Sequence, residues 1–195
     1  MDRPTVVSDP YERRRLKLMA AEALGLVLDI GHAQMPNPFL DPSQTVGLDI
    51  REPARRSGYS NDVVGSAMEV EQLFGTDRFD TVIAGEFIEH VEDPYAFLRA
   101  VAKVLVPSGR LIVSTPNPIA FPTLLMEILQ SRRFFYSSDH TYYFTPRWVA
   151  RLLTRSGFQL EAVIPVGLRL PGGYLPWSPA WLSYQVIYSA RRRDS

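Results

Sequence analysis

The chain has 195 residues, no net charge and 46% hydrophobic residues, which fits one α/β domain with a substantial core. A protein that binds nucleic acid by neutralising phosphates carries a basic excess, so no nucleic-acid partner is expected. The absence of cysteine excludes disulfides and thiolate metal sites. No apolar signal segment opens the chain and prolines interrupt its longest uncharged stretch, so we expect a cytoplasmic protein without a transmembrane segment.

Strands and helices are predicted to alternate along the chain. A helix is predicted at 11–24, and Asp-Pro or Thr-Pro start signals predict helices from 94 and 146. The predicted strands are short apolar runs, at 26–30, 45–50, 62–64, 79–84, 110–114, 158–163 and 185–189. This order predicts a single-domain, doubly wound, mostly parallel seven-stranded sheet over residues 1–195, in which the last two strands could pair antiparallel. The short connection before 62–64 predicts a reduced or missing second crossover helix.

Two segments fall outside this alternation. The first, 116–139, is an insertion after the fifth strand and contains an apolar helix candidate at 121–129, followed by Arg132 and Arg133. It is interpreted as a lid over an acceptor, as a helix packed on the core, or as a surface in peripheral contact with a membrane. The second, 165–181, is rich in proline, glycine and aromatic residues. Its aromatic residues, together with one just beyond it, either line an acceptor pocket or pack elsewhere: Tyr174, Trp177, Trp181 and Tyr184.

Two arginine runs, 13–15 and 191–193, are interpreted as a solvated helix face and a solvated tail.

The turn at 29–33, Asp-Ile-Gly-His-Ala, follows the first predicted strand and is interpreted as a cofactor loop. Gly31 allows close backbone approach of a ligand, and a carboxylate at Asp49 can accept both hydroxyls of a ribose. The dinucleotide fingerprint requires G-x-G-x-x-G, but this loop has Gly31, Ala33 and Pro36 in the glycine positions. A nucleoside cofactor without a pyrophosphate, such as S-adenosylmethionine, is therefore favoured over NAD.

The stretch 79–94, FDTVIAGEFIEHVEDP, resembles the fourth-strand motif of class I S-adenosylmethionine-dependent methyltransferases. The stretches 105–118, LVPSGRLIVSTPNP, and 139–146, DHTYYFTP, are also similar to that family. The closest subgroup is the small-molecule methyltransferases of ubiquinone biosynthesis and cell-surface glycans. The resemblance implies a Rossmann-like methyltransferase fold, S-adenosylmethionine as cofactor and S-adenosylhomocysteine as product.

The resemblance also implies which positions contact the cofactor. In this family Asp49 would bind the ribose, and Ser66 stands where an aspartate usually accepts a hydrogen bond from the adenine amino group. Ala33 stands where the family usually has glycine. The positions that match cofactor-contacting positions are Asp29, Gly31, His32, Ala33, Asp49, Ile50, Ser66, Ala67, Met68, Ala84, Gly85, Glu86 and Phe87.

Methyl transfer to a hydroxyl requires a base that takes the proton of the acceptor. His140 follows the insertion and is a candidate for this role or for acceptor binding, with capping or packing as its alternative. His90 is a weaker catalytic candidate, because its position favours a structural role that holds the loop after the fourth strand. The spacing of Glu86, Glu89 and His90 matches no zinc pattern, so no metal site is predicted.

The sequence therefore predicts a methyltransferase that acts on a small molecule or glycan, most simply at oxygen. The alternative is a protein of the same fold that has lost turnover and serves in binding or regulation. Ala33 and Ser66 motivate that alternative. A nicotinamide dehydrogenase is disfavoured by the missing third glycine.

Overall fold

The computed structural model describes residues 7–53, 57–130, 140–170 and 173–193. The helices in these ranges are α1 (Pro10–Glu22), α2 (Val70–Phe74), α3 (Pro94–Val104), α4 (Phe121–Gln130) and α5 (Pro146–Arg155). The strands are β1 (Val27–Ile30), β2 (Thr45–Asp49), β3 (Asn61–Val64), β4 (Phe79–Gly85), β5 (Leu105–Pro116), β6 (Phe158–Pro165), β7 (Leu168–Leu170), β8 (Gly173–Leu175) and β9 (Gln185–Arg192).

The main sheet has seven strands in the order β3-β2-β1-β4-β5-β9-β6. The five strands from β3 to β5 are parallel, and β9 pairs antiparallel with both β5 and β6. The predicted doubly wound, mostly parallel sheet is thus confirmed, including its antiparallel end. The chain winds outward in opposite directions from β1 and β4, and ligands of such sheets bind at this switch point.

Local sequence explains where the two longest helices begin. The Asp9 side chain accepts a hydrogen bond from the Tyr11 amide at 2.8 Å, with Pro10 in the first helical position of α1. Asp93 caps α3 in the same way, through the Ala96 amide at 2.9 Å. Both helices bury their apolar faces against the sheet and so fix its carboxyl edge.

The structure differs from the predicted elements at three places. β9 runs to Arg192, three residues past the predicted end, so Arg191 and Arg192 pair within the sheet and do not form a solvated tail. β5 begins at Leu105, five residues before the predicted start, because Leu105 pairs with Phe79 ahead of a register shift. β7 and β8 form a hairpin in the segment predicted to be irregular. The connection between β2 and β3 has no helix in its described residues, as its length predicted.

α4 leaves much of its apolar surface in solvent. Phe121, Ile128 and Leu129 are 57%, 78% and 69% exposed, so these side chains are not packed on the core. Residues 131–139 of the insertion, with Arg132 and Arg133, lie outside the described residues. Among the helices that the structure describes, none is long and apolar enough to cross a bilayer.

Candidate cofactor and acceptor site

The cofactor loop leaves β1 through a glycine that cannot be replaced without strain. Gly31 has φ of +81°, a conformation that L side chains rarely adopt. Its amide donates to the Leu48 carbonyl at 2.8 Å, and a Cβ atom at this position would lie 3.0 Å from the Phe87 ring. Gly31 therefore brings the loop backbone close to both β2 and the residue after β4.

Asp49, at the end of β2, ties the loop to the neighbouring strand. Its carboxylate accepts the Ala33 amide and the Arg51 amide, each at 2.9 Å. A carboxylate offers about four acceptor positions, so two remain for the hydroxyls of a ribose. The next side chain, Ile50, is 71% exposed and offers apolar surface beside them.

His32 is held inside the protein. Its Nε2 atom lies 2.9 Å from the Asp62 carboxylate, and its side chain is almost fully buried. A Cβ atom at Gly47 would lie 2.4 Å from the imidazole, so this glycine makes room for the ring against β2. Because the His32 side chain is buried against β2, the predicted contact with the cofactor could come only from the His32 backbone.

The segment after β3 forms the far side of the nucleoside region. The Ser66 hydroxyl accepts the Met68 amide at 3.2 Å and caps the short turn Ala67–Glu69. Ala67 is buried, whereas Met68 is 41% exposed. The Gly65 amide donates to the Asp49 carbonyl at 2.9 Å, so the predicted adenine and ribose positions lie on adjacent strand ends.

Several predicted residues meet around a small cavity between β1, β4 and α1. Asp29, Gly31 and Gly85 line it together with Arg15 and Met19. A Cβ atom at Gly85 would lie 2.6 Å from the Arg15 guanidinium, so this glycine brings the backbone against the arginine. Ala84 and Phe87 flank this end of β4: Ala84 is fully buried, and the Phe87 ring lies 5.3 Å from the Phe97 ring.

Arg15 is a site residue that the sequence interpretation missed. It is 5% exposed, and its guanidinium donates to the Ser114 hydroxyl at 3.1 Å. Its Nε atom pairs with the Glu12 carboxylate at 2.8 Å, and a buried guanidinium beside the cavity is also suited to binding a carboxylate such as that of a methionine moiety. The sequence feature that could have revealed its burial is spacing: Arg15 lies four residues from both Tyr11 and Met19, which are buried on the same face of α1.

The interpretation of residues 13–15 as a solvated face is therefore wrong. Besides the buried Arg15, Arg14 donates to the Val166 carbonyl at 2.7 Å and to the Pro176 carbonyl at 3.1 Å. The Arg13 guanidinium lies 4.9 Å from the centre of the Phe39 ring. α1 thus uses these arginines to hold the segments packed against it.

Glu86 follows β4 in a strained backbone conformation, with φ of +51°. Its amide donates to the Ser114 carbonyl at 2.9 Å, and its carboxylate accepts the Ser114 hydroxyl at 2.9 Å. Burial raises the pKa of Glu86, and the nearby Arg15 opposes that shift. Strained residues of this kind cluster at functional sites, because the surrounding structure must hold them in place.

A second cluster, made by Glu89, His90 and His140, lies next along the chain. One ligand atom from each residue lies within 4.8 Å of the others, and the two imidazole rings are 4.8 Å apart, edge to face. The Thr141 amide donates to the Glu89 carbonyl at 2.8 Å, which docks the segment carrying His140. The sequence grouped Glu89 and His90 with Glu86, but the structure groups them with His140.

The Glu89/His90/His140 cluster can act in two ways. Its imidazole groups can take a proton from an acceptor. One carboxylate and two imidazoles also suit a divalent cation. The absence of a metal site therefore stays a prediction.

The four aromatic candidates for the acceptor pocket divide into two groups. Trp177 and Trp181 are 91% and 60% exposed, whereas the Tyr174 ring packs edge to face on Tyr11. Burial, and then the charge of Glu86, raises the pKa of Tyr184. Tyr174 and Tyr184 both pack against the buried cluster that contains Tyr11, so packing accounts for these two aromatic residues.

Glu89→Gln is expected to change how stability depends on pH. Burial, and then the charge of Glu86, raises the pKa of Glu89 from its ordinary 4.5 to about 8. The folded protein therefore holds this proton more tightly than the unfolded chain, and the free energy of unfolding falls as pH rises from 4.5 towards 8. Glutamine does not titrate, so the variant should not lose stability in this way. The difference in free energy of unfolding between the variant and wild type should therefore shift by about 3 kcal/mol in favour of the variant from acid to neutral pH.

Urea unfolding of both proteins at several pH values measures this gain. Glu92→Gln, an exposed neighbour, is the control and should keep the wild-type pH dependence. Parallel pH profiles for wild type and Glu89→Gln would contradict the expected tight proton binding at Glu89.

Comparison with known proteins agrees with the geometry. A methyltransferase domain family model matches residues 7–163. The ubiquinone biosynthesis O-methyltransferase of Xanthomonas euvesicatoria pv. vesicatoria (strain 85-10) is 39% identical over 89 residues, which cover 44% of this chain and 37% of that protein. The enzyme of the same name from Cereibacter sphaeroides (strain ATCC 17029 / ATH 2.4.9) is 32% identical over 139 residues, 69% of this chain and 55% of that protein. The matched segments thus span about half or less of these relatives.

A solved structure from Thermotoga maritima has the same fold. It is described as a S-adenosylmethionine-dependent methyltransferase, possibly a histamine N-methyltransferase, and superposes with a TM-score of 0.72 at 18% identity. The superposition covers 94% of this chain and 93% of that one. Because the sequence identity is low, this structural similarity is evidence for the fold and not for the function. Together with the family match over most of the chain, it confirms the resemblance: the chain belongs to the methyltransferase domain family and has the fold of class I S-adenosylmethionine-dependent methyltransferases.

Proposed function

We propose that this protein transfers the methyl group of S-adenosylmethionine to a hydroxyl oxygen of a small molecule or glycan. The observation that carries the proposal is the Glu89/His90/His140 cluster, close enough to Glu86 for that carboxylate to raise the pKa of Glu89. Such a cluster is useful for an oxygen acceptor, whose proton must leave, and is less needed for a neutral amine. The names of the Xanthomonas and Cereibacter relatives support oxygen as the acceptor atom.

In the proposed cofactor site, Asp49 accepts the ribose hydroxyls and the exposed Ile50 and Met68 flank the adenine. Arg15 and Asp29 face the carboxylate and ammonium groups of the methionine part. Glu86 and the Glu89/His90/His140 cluster would then border the region in which the methyl group is transferred.

In the proposed reaction, an oxygen lone pair of the acceptor forms the new O–CH₃ bond as the C–S bond breaks. The hydroxyl proton passes to the cluster, and S-adenosylhomocysteine leaves as a neutral thioether. Alignment of the acceptor with the C–S bond supplies much of the acceleration, because the protein fixes both partners before they react.

We also propose that α4 forms the outer wall of the acceptor region. It follows β5, and its exposed Phe121, Ile128 and Leu129 offer apolar surface to part of an acceptor. Ile128→Ser is expected to raise KM for the acceptor severalfold while leaving cofactor affinity unchanged. If the same variant instead loses binding to lipid vesicles with no change in KM, the face serves peripheral membrane contact.

The experiment that tests the function supplies the protein with S-adenosylmethionine and a panel of phenols, catechols and sugars, each paired with an amine of similar shape. Mass spectrometry identifies the methylated atom. We expect O-methylated products in step with S-adenosylhomocysteine formation. Methylation of the amines alone would contradict the oxygen assignment. Cofactor binding without turnover on any acceptor would favour the binding or regulatory alternative.

A further inference from the structure

We propose that Tyr59, in the connection between β2 and β3, is a positioning residue that holds Asp29 and the cofactor loop in the form that binds S-adenosylmethionine. The Tyr59 hydroxyl donates to the Asp29 carboxylate at 2.7 Å. The same hydroxyl accepts the Asn37 amide at 2.7 Å. One phenol therefore joins the start and the end of the loop, using both its donor and its acceptor capacity.

The composition of this loop explains why it needs such a brace. Ala33 and Pro36 occupy positions where a glycine-rich loop would bring more backbone amides to a ligand, and Pro36 has no amide hydrogen. The far end is fixed by side-chain bonds instead. The Asn37 side chain donates to the Leu16 carbonyl at 2.9 Å and accepts the Phe39 amide at 3.1 Å. Side chains thus define a loop shape that glycines define in richer loops.

Tyr59 is itself held by a chain of hydrogen bonds. Its amide donates to the Ser57 hydroxyl at 2.9 Å, and that hydroxyl donates to the Asp62 carboxylate at 2.6 Å. Asp62 also binds the buried His32, whose ring lies 5.6 Å from the Tyr59 ring. The His32 ring therefore packs against Tyr59 and helps to fix its position.

The hydrogen bond from Tyr59 affects the ionisation of Asp29, together with the charges around that carboxylate. Asp29 is 6% exposed, and burial raises its pKa to about 6, while the Tyr59 hydrogen bond, His32, the Asn37 amide and Arg15 hold it lower. Burial and the charge of Asp29 raise the pKa of Tyr59, which keeps its hydroxyl a donor. Asp29 lines the same cavity as Arg15, so its ionised form suits the ammonium group of the cofactor.

The test is the affinity for S-adenosylhomocysteine, measured by calorimetry between about pH 5 and pH 8 for wild type, Tyr59→Phe and the control Tyr95→Phe. Wild type should bind steadily in the upper part of this range and weaken as Asp29 becomes protonated near pH 6. Tyr59→Phe should bind about tenfold more weakly even in the upper part. Its loss of affinity should also begin at a higher pH, because the bond that favours the ionised carboxylate is gone. Tyr95 lies on α3, and its variant should match wild type.

Two results would overturn the proposal: an affinity for Tyr59→Phe equal to wild type, or a uniform weakening with the wild-type pH midpoint. The second would mean that the ring only packs. Asp29→Asn provides a further check that does not need the Tyr59 variant to fold. It should abolish the loss of affinity near pH 6, and a retained loss would equally overturn the role of Asp29. The proposal rests on cofactor binding at this site, so failure of wild type to bind would instead refute the site itself.

Discussion

Asp49→Ala is expected to weaken binding of S-adenosylhomocysteine by about 100-fold. In the proposed site, the Asp49 carboxylate accepts two ribose hydroxyls, and hydrogen bonds to a charged group are worth more than neutral ones. The variant also loses the acceptor of the Ala33 amide, so the loop loses its bond to the end of β2. Calorimetry at neutral pH measures the change directly.

Asp77→Ala is the matched control. Asp77 is an exposed aspartate that pairs with Arg192. It lies just before the start of β4, at the opposite edge of the sheet from the site. Its loss should leave cofactor affinity unchanged. If Asp49→Ala retains wild-type affinity while folded, the ribose is not held at the end of β2.

His140→Ala is expected to lower turnover by about 100-fold or more on the true acceptor, which is the usual contribution of a positioned general base. Its affinity for the cofactor should stay nearly unchanged, because the His140 ring packs on His90 and its segment is docked on Glu89, after β4. His140→Asn keeps polarity but cannot take up a proton at neutral pH, and should be equally slow. Single-turnover rates and calorimetry on the same samples separate the two effects.

The same assay distinguishes the two ways in which the Glu89/His90/His140 cluster can act. A wild-type rate that survives a chelator assigns proton removal to the side chains themselves. A rate that is lost and then restored by one divalent cation assigns activation of the hydroxyl to an ion held by the cluster. An unchanged rate in His140→Ala would contradict both.

The predicted order of strands agrees with the structure because buried parallel strands have a simple signature. Runs such as 26–30 and 79–84 are apolar on both faces, and Asp-Pro or Thr-Pro marks the helices that follow. The hairpin β7–β8 could not be found this way, because its three-residue strands are too short for a pattern. Long-range contacts stabilise that region, among them the Arg14 bonds to the Val166 and Pro176 carbonyls.

Residues that contribute backbone to the site were predicted more successfully from the sequence than residues that contribute side chains. Gly31 was found because close backbone approach requires glycine, and Gly85 because it lies in the stretch that resembles the fourth-strand motif. Arg15 and Tyr59 were missed because they reach the site from a helix and a loop outside the recognised motifs. His32 lies in the predicted loop, yet its side chain turns inward because Gly47 leaves space for it. Sequence position alone cannot reveal such a turn.

A calorimetric titration of the wild-type protein with S-adenosylhomocysteine tests directly whether the site at the ends of β1 and β2 binds the cofactor. The loop from Asp29 to Asn37 is poor in glycine, but its hydrogen bonds to Tyr59 and Asp49 hold it in place. We therefore expect saturable one-to-one binding in the micromolar range. Absence of binding at millimolar concentration, with the protein folded, would contradict the assignment of this site.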